Sequence, residues 1–146
     1  MARILALDIG DVWVGSALSD ATGLIASPLD TINFKDLFKF LEEIVKKYDI
    51  KSVVVGYPKS VGGNISQQTQ KTLDVYKKLQ AEFLDLQFIL WDERFSSKRA
   101  KSLLQGKQLH RRKNVKNKQH EHSLAAAFIL DSYLVYTSNK LAYESM

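Results

Sequence analysis

The chain contains no cysteine among its 146 residues. A disulfide framework and a thiolate zinc site are therefore excluded, in agreement with a reducing compartment. Apolar runs are short as well, since none reaches the roughly 18 residues that a transmembrane helix needs. The N-terminus lacks a long apolar core followed by a small-residue cleavage site, so no signal peptide is visible. We therefore expect a cytoplasmic protein without a membrane partner.

Acidic residues are outnumbered by basic ones. The chain has 21 Lys and Arg against 16 Asp and Glu, which gives a net charge of +5. Such a surplus favours an anionic partner, and nucleic acid is the commonest one. The length predicts a single domain, which we place at residues 1–140, with residues 141–146 as a C-terminal tail. The sequence leaves the oligomeric state open.

The hydrophobic pattern predicts an α/β protein. Strands are expected at residues 3–7, 14–19, 24–32, 52–57 and 86–91, and helices at 34–48, 66–82, 97–104 and 119–136. Pro28 marks the third strand as an edge strand. The later strands alternate with helices, which implies parallel pairing, whereas the first three are close enough to form an antiparallel meander. We predict a mixed five-stranded sheet flanked by helices on both faces.

Acidic residues follow two of the predicted strands. Asp8 ends the first strand, and Asp92 and Glu93 follow the fifth. Ligands bind outside the carboxyl ends of parallel strands, so these acids are candidates for a shared site. Asp8 and Glu93 together could bind divalent cations and act on a phosphodiester, or each could be a cap or turn residue. We expect Asp92 to have a local role, as a turn residue or a partner of Arg94, although strand alternation alone does not decide between it and Glu93.

Two further stretches suit phosphate. The loop "GYPKSVGGNIS" leads into a helix N-terminus, where Gly62, Gly63 and Ser66 could surround a phosphate, and where Asn64 or Ser66 could cap the helix. It lacks the Gly-Lys-Ser/Thr of a nucleotide-binding P-loop. Residues 98–118 hold nine basic side chains and no acid, which favours nucleic-acid contact over a merely solvated surface. The candidate contacts are Arg94, Lys98, Arg111, Arg112, Lys113, Lys116 and Lys118.

Four blocks in order carry a resemblance: "LALDIGDVWVGSALSD", "VVVGYP" with "GGNIS", "WDERFSS" and "LAAAFILDSYL". With these blocks the chain resembles the YqgF/RuvX family of pre-16S rRNA nucleases, formerly described as Holliday junction resolvases. The resemblance implies a ribonuclease-H-like fold, cleavage of structured nucleic acid with Mg²⁺ or Mn²⁺, and Asp8 and Glu93 as acidic site residues that bind the metal. Gly10 would leave room for a phosphate to approach.

The chain departs from the family at one position of the last helix. An Asp usually stands there, and this sequence has His122. Imidazole ligates Mn²⁺ but is a poor ligand for Mg²⁺, so His122 is a candidate catalytic residue, either as a metal ligand or as a proton carrier. The leading prediction is processing of the 5′ end of pre-16S rRNA. The alternatives are a junction-resolving DNA endonuclease and a weakly catalytic nucleic-acid-binding assembly factor. An actin-like ATPase is disfavoured, because the opening block does not recur.

Overall fold

The computed structural model describes residues 2–57, 66–92 and 118–144, without the side chains of residues 118–120 and 143. Five strands and three helices are present in these ranges. In chain order they are β1 (Arg3–Ile9), β2 (Trp13–Ser19), β3 (Ala26–Asn33), α1 (Leu37–Lys47), β4 (Ile50–Tyr57), α2 (Gln67–Glu82), β5 (Gln87–Asp92) and α3 (Lys118–Glu144). A short 3₁₀ turn, Phe34–Asp36, precedes α1. No helix in the described ranges is long and apolar enough to cross a membrane.

The strands form one mixed sheet in the order β3-β2-β1-β4-β5. Strand β1 pairs antiparallel with β2 and parallel with β4, and β4 pairs parallel with β5. The predicted five-stranded sheet is therefore confirmed. Strand β3, which contains Pro28, lies at one edge as expected, because an edge strand can lose a ladder donor without leaving a partner unpaired.

Helices cover both faces of the sheet. Helices α1 and α2 pack on the face that carries Leu5, Leu7, Val53 and Val55. Helix α3 packs on the opposite face, where Ala6 and Ala17 contact its alanines. We call these the α1/α2 face and the α3 face. The α1/α2 face contains most of the large buried aliphatic side chains of the described residues.

Two of the predicted helices differ from the structure in detail. On α2 the apolar spacing predicts Leu73, Tyr76 and Leu79 on one face; Leu79 is buried and Tyr76 packs partly buried against the α1/α2 core, but the other buried residues are Thr69, Thr72 and Val75. Buried threonines carry no hydrophobic signal, and here the hydroxyl of Thr72 donates to the carbonyl of Gln68 at 3.0 Å. Helix α3 continues to Glu144 rather than ending near residue 136, and it crosses the predicted boundary at residue 140. Past Leu134 the described side chains of this helix are not buried, so periodicity could not reveal its last turns.

Candidate active site at the carboxyl edge of the sheet

Asp8 occupies the central strand, one residue before its end. Its neighbours in register are Gly15 on β2 and Gly56 on β4. Ala6, two residues earlier on the strand, belongs to the α3 core, so alternation places the Asp8 side chain on the α3 face as well. With glycine on both sides, no adjacent strand residue at this level contributes a side chain that would cover the carboxylate.

Helix α3 reaches this point of the sheet. A Cβ at position 15 would lie 1.9 Å from the carbonyl oxygen of His122 and 2.7 Å from the nitrogen of Ser123, so only glycine fits there. The imidazole lies over the turn after β1, with its Cε1 atom 3.7 Å from where a Cβ of Gly10 would be. Since Gly15 is the register partner of Asp8, the structure brings His122 to the Asp8 corner. Glu121, the neighbouring acid on α3, is exposed.

Gly10 has a structural reason of its own. Its N–H donates to the carbonyl of Trp13 at 2.9 Å and so closes the turn between β1 and β2. A Cβ on Gly10 would lie 2.8 Å from that same carbonyl oxygen. The close approach is thus made by the protein's own backbone, which accounts for glycine here without a bound phosphate.

Side chains from the first turns of α2 donate hydrogen bonds to the backbone at the end of β1 and in the turn after it. The hydroxyl of Ser66 accepts the N–H of Thr69 at 3.1 Å, which confirms Ser66 as the helix cap. Gln68 donates from its amide nitrogen to the carbonyl of Ile9 at 2.6 Å, and the Lys71 ammonium donates to the carbonyl of Asp11 at 2.8 Å. Both residues are polar and follow the cap, so sequence periodicity did not single them out. They restrain the backbone directly after Asp8.

Of the two acids predicted to follow β5, Asp92 lies within the described residues and Glu93 does not. Asp92 is the last residue of β5 and is buried. Its predecessor Trp91 packs with the α3 core, so alternation turns Asp92 toward the α1/α2 face and away from Asp8. The expected local role of Asp92, as a turn residue or a partner of Arg94, stays a prediction, because Arg94 lies outside the described residues.

Most of the other candidate residues lie outside the described ranges. These are Gly62, Gly63, Glu93, Arg94, Lys98, Arg111, Arg112, Lys113 and Lys116. The predicted helix at 97–104 and nearly all of the basic stretch at 98–118 also lie outside the described ranges. Lys118 is the first residue of α3, and its side chain is not described.

Asp8 and His122 are the two described residues at this edge of the sheet whose side chains are candidate metal donors, one through oxygen and one through nitrogen. Within 2–57, 66–92 and 118–144, no three His, Asp or Glu residues cluster closely enough to hold a metal by themselves. Such a pair would suit a divalent ion that accepts both oxygen and nitrogen, together with further ligands.

A comparison with protein-family models identifies the family of this chain. The model of RuvX, described as Holliday junction resolvase, matches residues 2–136. The chain belongs to the RuvX family. A relative from Fusobacterium nucleatum, named "Putative pre-16S rRNA nuclease", is 43% identical over 136 residues, 92% of this chain and 97% of the relative. A relative of the same name from Caldanaerobacter subterraneus is 41% identical over 138 residues, 90% of this chain and 95% of the relative.

Solved structures agree with the fold of a RuvX protein. RuvC of Thermus thermophilus, in complex with a Holliday junction substrate, superposes with a TM-score of 0.61 at 13% identity, covering 94% of this chain and 96% of RuvC. A second structure of the same protein gives a TM-score of 0.59. The resemblance to the RuvX family and the ribonuclease-H-like fold are thereby confirmed. The names of the relatives support the predicted enzyme class, a hydrolase that cleaves phosphodiester bonds.

Proposed function

We propose that this chain is a metal-dependent nuclease that processes the 5′ end of pre-16S rRNA in the cytoplasm. The observation that carries the proposal is the meeting of Asp8 with the start of α3, at a strand position flanked by two glycines. The relatives named for pre-16S rRNA support the choice of substrate. The family description favours branched DNA as the second candidate substrate.

The metal would be held by Asp8 and Glu93, with His122 beside them as a further ligand or as a proton carrier. Asp8 is supported by strands on both sides and by the Gln68 hydrogen bond at the next residue, so its carboxylate has little freedom to move with the substrate. A bound Mg²⁺ or Mn²⁺ would polarise the phosphodiester and stabilise the charge that develops on its oxygens. The chain's own contribution is to fix the ligands in place before substrate binds.

The nucleic acid would be held mainly through its phosphates. We assign these contacts to Arg94, Lys98, Arg111, Arg112, Lys113, Lys116 and Lys118, with Gly62, Gly63 and Ser66 at the N-terminus of α2. Since the Ser66 hydroxyl caps the helix, its contribution would come from the backbone N–H groups of the first turn. Each phosphate contact makes log K fall with log salt by about 0.9 on duplex DNA and about 0.7 on single strands, so Arg111→Ala with Arg112→Ala should flatten the slope.

The direct test is Asp8→Asn, with Asp11→Asn as its matched control. Asp11 lies on the same edge, and its side chain is 83% exposed and ion-paired with Lys71 at 3.8 Å. Both variants and the wild type are incubated with structured pre-rRNA and with a four-way DNA junction in Mg²⁺ and in Mn²⁺. We expect Asp8→Asn to lose cleavage and Asp11→Asn to retain it. Equal cleavage by all three proteins would refute the site, and cleavage of the junction alone would favour the resolvase.

The role of His122 is tested by metal preference. His122→Asp restores the carboxylate usual in the family and should shift activity from Mn²⁺ toward Mg²⁺, because Mg²⁺ prefers hard oxygen ligands. His122→Ala should weaken activity in both metals, and Glu121→Gln, on the exposed neighbour, is the control. Identical rates and metal preferences in all four proteins would make His122 a bystander. Binding of RNA without cleavage in any metal would favour the assembly factor.

A further inference from the structure

The peptide that joins Ile9 to Gly10, one residue after Asp8, is held from two sides. The N–H of Gly10 donates to the carbonyl of Trp13 at 2.9 Å, on the side of β2. In a trans peptide the carbonyl points the opposite way from the N–H, so the carbonyl of Ile9 points away from β2. There it accepts the side-chain amide of Gln68 at 2.6 Å. Gln68 thus supplies the donor on the side where the ladder with β4 has already ended.

Lys71 holds the rest of this turn. Its ammonium donates to the carbonyl of Asp11 at 2.8 Å and lies 4.2 Å from the centre of the Phe34 ring. The N–H of Phe34 in turn donates to the carbonyl of Val12 at 2.8 Å. Gln68 and Lys71 are three residues apart on α2, so they lie on one side of that helix. One side of α2 therefore fixes the turn that follows β1.

Asp8 depends on this turn because it is close to the end of its strand. It is the last residue of β1 in register with β4. Strand ends open locally more readily than the middle of a sheet does. A metal ligand has to stay within about 0.5 Å of its working position. The hydrogen bonds from α2 therefore act at the point where fraying of β1 would first displace the carboxylate.

We propose that Gln68 is a positioning residue of the metal site and that Lys71 is a second one. Both would act on metal binding through the end of β1, without touching the metal or the substrate. The inference deepens the proposed function and rests on it for the metal. Groups that support a metal ligand from behind commonly contribute about 10- to 100-fold to affinity. Gln68 holds the peptide next to the ligand rather than the ligand itself, so we expect an effect of about 10-fold.

The experiment measures Mn²⁺ binding to the full chain without nucleic acid, from the electron paramagnetic resonance signal of free Mn²⁺. Gln68→Met keeps the length and the helix propensity of the side chain but removes the donor. Gln67→Met, on the exposed neighbour, is the matched control. Asp8→Asn gives the binding that remains without the proposed ligand. Lys71→Met and Lys71→Arg form a second pair, because arginine can still donate to the carbonyl of Asp11.

Amide hydrogen exchange of the same proteins, followed by NMR, separates positioning from stability. A loss of global stability raises exchange throughout the sheet, whereas a local opening raises it in the turn alone. The Gly10 amide reports on the turn, and the amides in the middle of β4 report on the centre of the sheet.

We expect Gln68→Met to bind Mn²⁺ about 10-fold more weakly than the wild type and Gln67→Met to bind as the wild type does. Lys71→Met should weaken binding less, because Asp11 lies farther from Asp8 along the turn, and Lys71→Arg should restore most of the loss. Exchange of the Gly10 amide should accelerate in Gln68→Met, while the amides in the middle of β4 keep their wild-type rates.

Four outcomes would overturn the inference. If Gln68→Met folds and binds Mn²⁺ as tightly as the wild type, the hydrogen bond to Ile9 is only packing, although the proposed nuclease function is untouched. If exchange accelerates equally in the turn and in the middle of β4, the weaker binding reflects lost stability. If Gln68→Met does not fold, equal binding by Lys71→Met and Lys71→Arg refutes the inference. If the wild type binds no more Mn²⁺ than Asp8→Asn does, the proposed metal site fails together with the inference.

Discussion

The two faces of the sheet are built from side chains of different size. The α1/α2 face buries large aliphatic residues such as Leu5, Leu7, Leu41 and Leu79. The α3 face pairs Ala6 and Ala17 with the alanines of the helix, and its edge carries Gly15. Large side chains hold a helix away from a sheet, whereas small ones let the backbones meet, as they do between Gly15 and His122.

The face with large side chains holds most of the buried core, and the face with small side chains holds the candidate site residues. Asp8, His122 and Trp91 all belong to the α3 face, where the helix backbone comes close enough to reach the strand ends. Among the residues that the structure describes, the α1/α2 face contributes to the candidate site through the Gln68 and Lys71 hydrogen bonds at the turn after β1. We therefore expect changes on the two faces to have different consequences.

Leu41→Ala should have the largest effect on stability. Leu41 is fully buried on the α1/α2 face, and removing a buried leucine side chain costs about 2–5 kcal/mol because the cavity does not close. Urea unfolding measures the loss, and nuclease activity per folded molecule should be unchanged. A fall in activity per folded molecule would contradict the expectation that the buried side chains of the α1/α2 face affect stability alone.

Gly15→Ala should destabilise the fold less than Leu41→Ala does, and it should reduce cleavage more. The added methyl group meets the carbonyl of His122, so α3 has to move, at about 1–3 kcal/mol for overpacking. Displacing His122 from Asp8 should reduce cleavage well beyond the loss of folded protein. Leu41→Ala, at equal or greater destabilisation, is the control. If Gly15→Ala cleaves at the wild-type rate, the contact of α3 with Gly15 is not needed for activity.

The sequence pattern predicted the strands better than the faces of the helices. Runs such as residues 52–57, which are apolar after Ser52, indicate a buried parallel strand whichever face the side chains take. The face of α2 was predicted only in part: Leu79 is buried and Tyr76 packs against the core, but Thr69 and Thr72 were missed because they are polar yet buried through hydrogen bonds. The Asp8 end of the site was predictable from its strand, but the orientation of Asp92 required the register of β5.

Ser66→Ala should lower stability by about 0.5–2 kcal/mol through loss of the α2 cap. Helix α2 packs on the α1/α2 face, but the side chains of its first turns also hold the backbone after Asp8, so this change affects both faces. Thermal unfolding measures the effect, and Ser66→Asp, which also caps helices, should restore most of it. If Asp and Ala destabilise equally, the hydroxyl contact to Thr69 does not contribute.

Asp20→Asn should have the smallest effect on stability, since Asp20 lies in the turn between β2 and β3 and belongs to neither face of the sheet. Hydrogen bonds from the Thr22 hydroxyl and from the N–H groups of Ile25, Leu24 and Thr22 hold the pKa of Asp20 well below its usual range. A lowered pKa stabilises the folded state above the unfolded value of about 3.9, and this contribution is lost as pH falls through the folded pKa.

The stability difference between wild type and Asp20→Asn should therefore shrink as pH falls from about 6 to about 2. Denaturant unfolding at several pH values measures it. A difference that stays constant with pH would show that the Asp20 charge plays no part in stabilising the turn.

The sequence by itself determined the strand order along the chain, the edge position of the Pro28 strand and the location of Asp8 at a strand end, and it narrowed the cap of α2 to Asn64 or Ser66. These features depend on local periodicity and on residues close in the chain. Only the tertiary structure decided that the start of α3 at His122 packs against Gly15, the register partner of Asp8, that Asp92 turns away and that Trp91 lies at the same register level as Asp8. Those placements depend on strand register and on how closely α3 approaches Gly15, which combine distant segments that no local pattern encodes.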